Sequence, residues 1–148
     1  MPLVHEMFLN CGRDSDITAA HLNAGYAARI DPAASGADLA NGKPGANLCG
    51  SAADANEVFG EIKGSVNANS VTVQTGGVLY LRVLTATYAN VAAVDAVVGQ
   101  GVQAVDTGAA NIGFVEATGT LGTGFGRILG GVMIDGTLRA AVYAESNG

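Results

Sequence analysis

The sequence predicts an all-β protein: a small antiparallel β-sandwich or a barrel-like, β-tulip-like domain with long loops and an N-terminal arm. Short runs of alternating apolar and polar residues recur at intervals of roughly 8–12 residues. The 148 residues include 22 glycines, so turns are frequent. Trp is absent and aromatics make up 5%, so Val, Leu, Ile and Ala must fill the core. These features favour short strands over long helices.

The chain is predicted to form one domain preceded by an arm. Its length is that of one ordinary domain, which can bury a core without a metal or disulfide framework. Residues 1–16 have the least regular pattern, because the run from Asn10 to Asp14 interrupts any alternation. They are therefore predicted to be a loosely held N-terminal arm, and residues 17–148 a single β-rich domain.

The first part of the domain is predicted to hold short strands around one long loop. Asp16 could cap a short helix, but alternation after Gly25 favours a strand over Gly25–Asp31. Residues 32–47 are dense in Pro, Gly, Ser and Asn, which is typical of a surface loop and makes them the candidate contact loop. The next predicted strands are Asn47–Ser51 and Val58–Lys63.

The most regular segment runs from residue 65 to residue 83 and contains two alternating runs on either side of Thr75-Gly76-Gly77. Tight hairpin loops need positive φ, which costs glycine little. The segment is therefore predicted to be a β-hairpin. A second hairpin is predicted further along, in which Ala93–Val98 pairs with Val102–Val105 across Gly99-Gln100-Gly101, followed by a strand over Asn111–Ala117.

The end of the chain has the strongest turn signal. Asp135-Gly136 is a typical two-residue hairpin turn and is predicted to join strands at Arg127–Ile134 and Thr137–Glu145. Gly130-Gly131 interrupts the first of these strands, which indicates a β-bulge. One face of the second strand is predicted to carry its apolar side chains: Leu138, Ala140, Val142 and Ala144.

Charge and hydropathy argue against nucleic acids and membranes as partners. The formal net charge is −6, and the seven Lys and Arg residues are scattered, whereas nucleic-acid binding needs clustered basic residues. No apolar run approaches the length needed to span a bilayer, and the N-terminus lacks the features of a secretory signal. Neither a nucleic acid nor a membrane is expected as a partner.

Asp14 and Asp16 match the DxDxT spacing of phosphoryl-transfer enzymes of the haloacid dehalogenase type. Such a nucleophile needs an apolar strand before it and an α/β scaffold, whereas Gly12-Arg13 interrupts the preceding segment and the rest predicts antiparallel β-structure. A small phosphohydrolase using these two aspartates is a remote alternative. The same aspartates do not fit a calcium loop, because Ala19 stands where an EF-hand needs Gly and Gly25 where it needs Glu.

No cofactor site is predicted from the glycine-rich segments. Asn41-Gly42-Lys43-Pro44 has Pro where a phosphate-binding loop needs Ser or Thr, so it is interpreted as a surface turn. Gly122–Arg127 resembles a nucleotide-binding loop but lacks the full GxGxxG spacing and a βαβ context.

Metal binding and catalysis are also not predicted. Four residues carry the atoms that zinc prefers, but their wide, irregular spacing does not make a credible site: His5, Cys11, His21 and Cys49. The two cysteines are expected to be free thiols, although one disulfide is possible. With two histidines and no recognisable nucleophile, no catalytic residue is predicted and the chain is not expected to be an enzyme.

The order of these elements resembles that of phage head decoration proteins, also called capsid cement proteins. The resemblance runs from about Asp16 to Ala144 and rests on patterns of turn and strand. The segments that carry it are AGYAARID, SAADANEVFGEIKG, SVTVQTGGVLYLRV, VVGQGVQAVDTGAANIGFVEA and TLRAAVYA.

The resemblance implies a small β-rich protein, often a trimer, that binds the outside of an expanded icosahedral head. The expected partner is the major capsid protein, and the expected location is the outer capsid surface of the virion, after synthesis in the host cytoplasm. Docking between capsomers would strengthen the shell without any covalent step. Residues 1–13 are the candidate arm that adds a strand to a neighbouring sheet.

The alternative function is a glycan- or receptor-binding β-module of a virion, because exposed loops on a sandwich commonly bind glycans. Glycan sites usually stack the sugar on aromatic rings, and this chain has no Trp and four Tyr. Decoration of a capsid is therefore the leading hypothesis.

Overall fold

The computed structural model describes residues 6–50, 57–65, 67–105 and 112–145. The fold is all-β, with a closed five-stranded barrel and additional strands, which confirms the predicted fold class. The elements in this part of the chain are β1 (Met7–Arg13), β2 (Ala27–Ile30), β3 (Gly45–Leu48), β4 (Gly60–Ile62), β5 (Ser70–Arg82), α1 (Val91–Asp95), β6 (Gln100–Ala104), β7 (Val115–Leu121), β8 (Arg127–Ile134) and β9 (Thr137–Ala144).

The barrel closes through the first strand. The order is β1-β3-β2-β4-β5, and β1 pairs back onto β5 in antiparallel register, with Cys11 opposite Val71. Only the β1–β3 contact is parallel among these pairings. Small and branched apolar side chains fill the interior: Cys11, Ile17, Ala28, Ala46, Leu48, Ile62, Val71 and Val73.

A second core lies where β5 leaves the barrel. The second half of β5 pairs with β9, and β9 pairs with β8. Strands β6 and β7 form a separate two-stranded ribbon, and α1 packs on β8. Residues from all of these elements share one apolar cluster, which includes Leu79, Leu81, Val94, Val102, Val115, Ile128 and Val142.

The hairpin predicted at Thr75-Gly76-Gly77 is wrong, because these residues lie inside the 13-residue strand β5. The two alternating runs are in phase, and each has its own partners: β1 and β4 before the glycines, and β9 after them. Gly77 has a φ of 92°, and the β1 register shifts between Met7 and Phe8 at this point. The glycine pair therefore allows an irregularity within one strand instead of a turn between two.

Side chains form hydrogen bonds with backbone groups along the edge of β5 that has no neighbouring strand among the described residues. Gln74 Nε2 donates to the carbonyl oxygens of Gly76 at 3.0 Å and Val78 at 3.3 Å. Glu61 Oε1 accepts the backbone N–H of Tyr80 at 2.8 Å, and its other oxygen lies 2.7 Å from Lys63 Nζ. Glu61 and Gln74 are almost fully buried, so these contacts replace the missing ladder bonds in a water-poor setting.

Several shorter predictions are confirmed with shifted ends. Strands β2 and β4 lie within the predicted Gly25–Asp31 and Val58–Lys63. β3 begins at Gly45, so it overlaps the predicted Asn47–Ser51 only in part and takes up the end of the predicted loop. β7 likewise overlaps the predicted Asn111–Ala117 and continues to Leu121, while residues 106–111 lie outside the described residues.

The strand predicted at Ala93–Val98 is wrong. α1 begins after Asn90, whose side chain accepts the N–H of Ala93 at 3.0 Å, a typical N-cap. Val94 points into the second core at 1% exposure. The cap and the three-residue spacing of Val91 and Val94, which both pack on the second core, favour a helix here over strand alternation. β6 pairs with β7 instead.

The C-terminal hairpin is confirmed. β8 and β9 are joined by Asp135 and Gly136, both with positive φ, as a tight two-residue turn requires. The register shift between Ile128 and Gly130 is the predicted bulge. The predicted apolar face of β9 is buried at all four positions: Leu138, Ala140, Val142 and Ala144.

The predicted arm differs from the structure at residues 7–13. Met7–Arg13 form β1, a strand of the barrel, and residues 1–5 lie outside the described residues. Polar and glycine residues interrupt the alternation of this segment because Gly12 sits at a close backbone approach: a Cβ there would lie 2.1 Å from the carbonyl oxygen of Gly36.

Replacement of Gly60 by alanine should destabilise the barrel. A Cβ at this position would lie 2.4 Å from the backbone oxygen of Gln74 and 2.5 Å from Val73 Cγ1, across the β4–β5 pair. We expect Gly60→Ala to lower the free energy of unfolding by about 1–3 kcal/mol in urea titrations. Gly64→Ala is the matched control, because its nearest neighbour would be 3.7 Å away. Equal effects at both positions would contradict this account of barrel packing.

Candidate functional site

Asp14 and Asp16 lie in a loop after β1, where both carboxylates have structural partners. Asp14 Oδ1 accepts the N–H of Asp16 at 2.9 Å, and Asp14 Oδ2 accepts the N–H of Ser35 at 3.1 Å. Asp16 Oδ2 accepts from Asn47 Nδ2 at 3.2 Å. The first contact is an Asx turn, and the second ties the loop to the segment before β3. None of the three contacts prepares a carboxylate oxygen for attack on phosphorus.

The residues considered for zinc do not come together. Cys11 belongs to the barrel core and Cys49 to the second core, while His5 lies outside the described residues. His21 packs edge-on against Tyr26, with ring centroids 4.8 Å apart. Among the described residues, no three His, Cys, Asp or Glu side chains form a group that could hold a metal.

His21 has a local structural role. Thr18 N–H donates to Nδ1 of His21 at 2.9 Å, which requires an unprotonated ring nitrogen. Burial lowers the pKa of His21, and the nearby charges of Arg13 and Arg82 lower it further. The neutral ring thus closes the short 3-10 turn at Ala19–His21.

Both cysteines are free thiols, as expected from the sequence. Both are fully buried. Burial raises the pKa of Cys11 to about 11 and that of Cys49 to about 12. A thiol that stays protonated is a poor nucleophile and a poor metal ligand. The two side chains act as small core residues.

The glycine-rich segments form turns. Gly42 follows a 3-10 turn at Leu39–Asn41 in the left-handed region, and Asp38 bridges to Lys43. Gly122–Arg127 connects β7 to β8 and is closed by a 2.7 Å bond from Arg127 Nη2 to the carbonyl of Gly122. Both are surface turns, which confirms the surface turn predicted at Asn41-Gly42-Lys43-Pro44.

A groove of about 460 Å³ lies between the ribbon and this glycine-rich loop. Thr118, Thr123 and Phe125 contribute to its lining. Thr123 donates its hydroxyl to Thr118 at 2.7 Å, and Thr118 donates to the carbonyl of Thr120 at 3.0 Å. Because the hydroxyls bond to one another and to backbone, they order the loop and present few free donors to a ligand.

Three consecutive exposed apolar residues lie on the open edge of β1. Met7 is 44% exposed, Phe8 54% and Leu9 39%. β3 pairs with β1 only at Gly12 and Arg13, so among the described residues the first part of β1 has a strand on one side only. Exposed apolar edge strands are sites where another chain can pair. We call residues 7–11 the β1 edge.

The edge of β8, the last strand of the seven-stranded sheet, is partly covered. The N–H of Gly131 on β8 donates to Asp95 Oδ1 at 2.8 Å, and the N–H of Gly99 donates to the carbonyl of Ile128 at 2.9 Å. The end of α1 and the turn after it thus occupy part of the β8 edge. The β1 edge therefore differs from β8 in that residues 7–10 are exposed and, in the described part of the chain, have a neighbouring strand on one side only.

Sequence reasoning missed the β1 edge as a site within the fold. The run Met7-Phe8-Leu9 is apolar, but the break at Asn10–Asp14 that follows it predicts a loosely held arm for the whole segment. Met7 and Leu9 share a strand face with the buried Cys11, yet both are exposed, so alternation alone does not explain their exposure. Among the described residues, this part of β1 has a neighbouring strand on one side only.

Comparison with known proteins gives no relative: no family model, curated protein or solved structure matches the chain significantly. The resemblance to phage decoration proteins therefore rests on the sequence segments quoted above. None of the helices in the described ranges has the length and apolar character needed to cross a bilayer.

The two thiols should resist labelling in the folded protein. At pH 8 we expect a thiol-reactive disulfide reagent to modify Cys11 and Cys49 only at the rate at which the native protein opens, and to modify both at once in denaturant. Rapid labelling of either thiol without denaturant would contradict their burial.

The thiols should also make stability depend on alkaline pH. Their folded pKa values lie above the ordinary 9.0, so the unfolded chain loses protons first as pH rises. Their contribution is fully present below pH 9.0 and is lost as pH rises toward about 11 and about 12. Urea titrations across this range should show a steeper loss for the native chain than for a Cys11→Ala, Cys49→Ala double variant.

Proposed function

We propose that this chain is a structural virion protein that binds the outer surface of an expanded phage capsid and stabilises contacts between capsomers. Its partner is the major capsid protein, and it acts as a homo-oligomer, with a trimer favoured. The observation that carries the proposal is the β1 edge, an exposed apolar strand edge on an otherwise well-satisfied β-barrel. The sequence resemblance to decoration proteins supplies the identity of the partner.

The β1 edge suits binding by strand addition. An extended segment of a capsid subunit that pairs with residues 7–11 would satisfy backbone groups on both chains and cover Met7 and Phe8. Fully burying one such side chain stabilises a complex by about 1.5–3 kcal/mol. Each contact is modest, so tight attachment requires several copies bound together on one shell.

The surface chemistry fits a mechanical role. Charged residues make up only 14% of the chain, so a large contact with another protein would desolvate few charges. The carboxylates of Asp14 and Asp16 already accept protein donors, and the two thiols are buried. Stabilisation of a shell needs binding energy at many sites and no bond-making step.

Co-sedimentation with capsids tests the function directly. Purified protein should bind saturably to expanded heads that lack it and should not bind to unexpanded precursor heads, because the docking surface forms across capsomers on expansion. The measurement is the number of bound copies per capsid subunit. Absence of binding to either particle would overturn the proposal, and a glycan array would then test the alternative role as a virion adhesion module.

Substitution on the β1 edge tests the surface separately. Phe8→Glu should weaken binding to expanded heads by about tenfold or more, because it removes apolar contact area and would bury a charge. Leu129→Glu on β8 is the matched control, since Leu129 is 53% exposed and Phe8 54%. If both variants weaken binding equally, or if neither weakens it, the β1 edge is not the docking surface. The proposal that the protein binds capsids would still stand.

A further inference from the structure

Two arginines stand directly opposite each other on neighbouring strands. Arg82 of β5 pairs in register with Arg139 of β9, on the face of the sheet away from Leu81 and Leu138. Like charges directly across an antiparallel pair destabilise a sheet unless something compensates them. In a chain with a net charge of −6 and only seven basic residues, this juxtaposition needs a physical reason.

Arg139 is buried without a partner. Arg139 is only 6% exposed, and its Nε has no hydrogen-bond acceptor among the described residues. No carboxylate among the described residues forms an ion pair with it or with Arg82. A buried charge normally carries both hydrogen bonds and a counter-charge, because desolvation otherwise costs several kcal/mol. Burial indeed lowers the pKa of Arg139, and the charge of Arg82 lowers it further.

The segment before β2 holds the two guanidinium groups in place. A Cβ on Gly25 would lie 2.9 Å from Arg139 Nη1, so glycine is needed where the backbone crosses this side chain. Arg82 Nε donates to the carbonyl of Ala24 at 2.6 Å, and Arg82 Cζ lies 4.7 Å from the centre of the Tyr26 ring. The cations are thus fixed by backbone and aromatic contacts, and in the described part of the chain neither of them forms an ion pair.

The acidic side chain with the larger favourable effect on Arg139 is already engaged in other contacts. Glu61 contributes a favourable charge to Arg139, but its oxygens bond to Tyr80 N–H and Lys63 Nζ. Asp135, in the β8–β9 turn, acts on Arg139 only at longer range. Two guanidinium groups with unused donors, one of them more than nine-tenths buried, form a built site for a group that carries at least two anionic oxygens.

We propose that Arg82 and Arg139 form an oxyanion-binding site for a carboxylate or a phosphate group. The anion bonds to guanidinium donors of both residues and supplies the missing counter-charge. Two sources share this chemistry: a free inorganic anion, and an acidic side chain of a neighbouring protein. The site is independent of the β1 edge and does not depend on the proposed capsid role.

Thermal unfolding with added anions tests the site. The midpoint should rise with millimolar phosphate relative to chloride at matched ionic strength, because a ligand that binds the folded state stabilises it in proportion to its occupancy. Acetate in a parallel series reports on carboxylate binding. A rise with acetate but not with phosphate assigns the site to a carboxylate, which points to an acidic side chain as the natural occupant.

Matched arginine variants separate binding from general salt effects. Phosphate also stabilises proteins through exclusion from their surface, and that effect should be equal in every variant. Arg139→Met and Arg82→Met should each weaken the apparent affinity for phosphate by about tenfold or more. Arg127→Met should retain it, since Arg127 is an exposed arginine on β8 that bonds to its own loop.

The sign of the effect without anion gives a second readout. If Arg139 is an uncompensated cation, Arg139→Met should leave the midpoint in chloride unchanged or raised, since an apolar side chain costs less to bury. A purely structural arginine would instead lower the midpoint equally in chloride and phosphate. That result, or an equal phosphate response in all four proteins, would overturn the proposal.

Discussion

The fold depends on β5 remaining one strand across Gly76 and Gly77. Its first half closes the barrel with β1 and β4, and its second half begins the sheet with β9. Beyond the barrel, one edge of β5 has no neighbouring strand, so Gln74, Glu61 and the carbonyl of Gly25 bond to its backbone in sequence. β5 connects the two cores, because it places Val73 in the barrel core and Leu79 in the second core. The side-chain contacts stabilise this strand between them.

The sequence predicts the fold class and the local hairpin well, and the long-range pairing poorly. Asp135-Gly136 specifies a turn by backbone geometry alone, so the β8–β9 hairpin follows from two residues. Gly76-Gly77 is compatible with a turn or with an irregular strand, and only the partners on either side decide between them. Alternation likewise describes which face is buried but not which strand lies alongside, so the barrel closure through β1 was not predicted.

For the candidate site, sequence reasoning was more useful in exclusion than in location. The interrupted segment before Asp14 and the wide spacing of His5, Cys11, His21 and Cys49 are the sequence features that disfavour catalysis and metal binding. In the structure, Cys11 and Cys49 lie in different cores and His21 packs on Tyr26. Exposure of the β1 edge and the juxtaposition of Arg82 with Arg139 depend on register between distant strands. No pattern within a short window of sequence contains that information.

Barrel closure through β1 also constrains the order in which the chain can fold. β1 is synthesised first, yet its partner in β5 leaves the ribosome only after β2, β3 and β4 have been made. Closing so long a loop costs chain entropy before any contact compensates for it, whereas the β8–β9 hairpin requires only local contacts. The apolar start of β1 must therefore remain unpaired on the nascent chain for longer than any other barrel strand. A segment in that position is the one for which a chaperone, or a second nascent copy, would compete during synthesis.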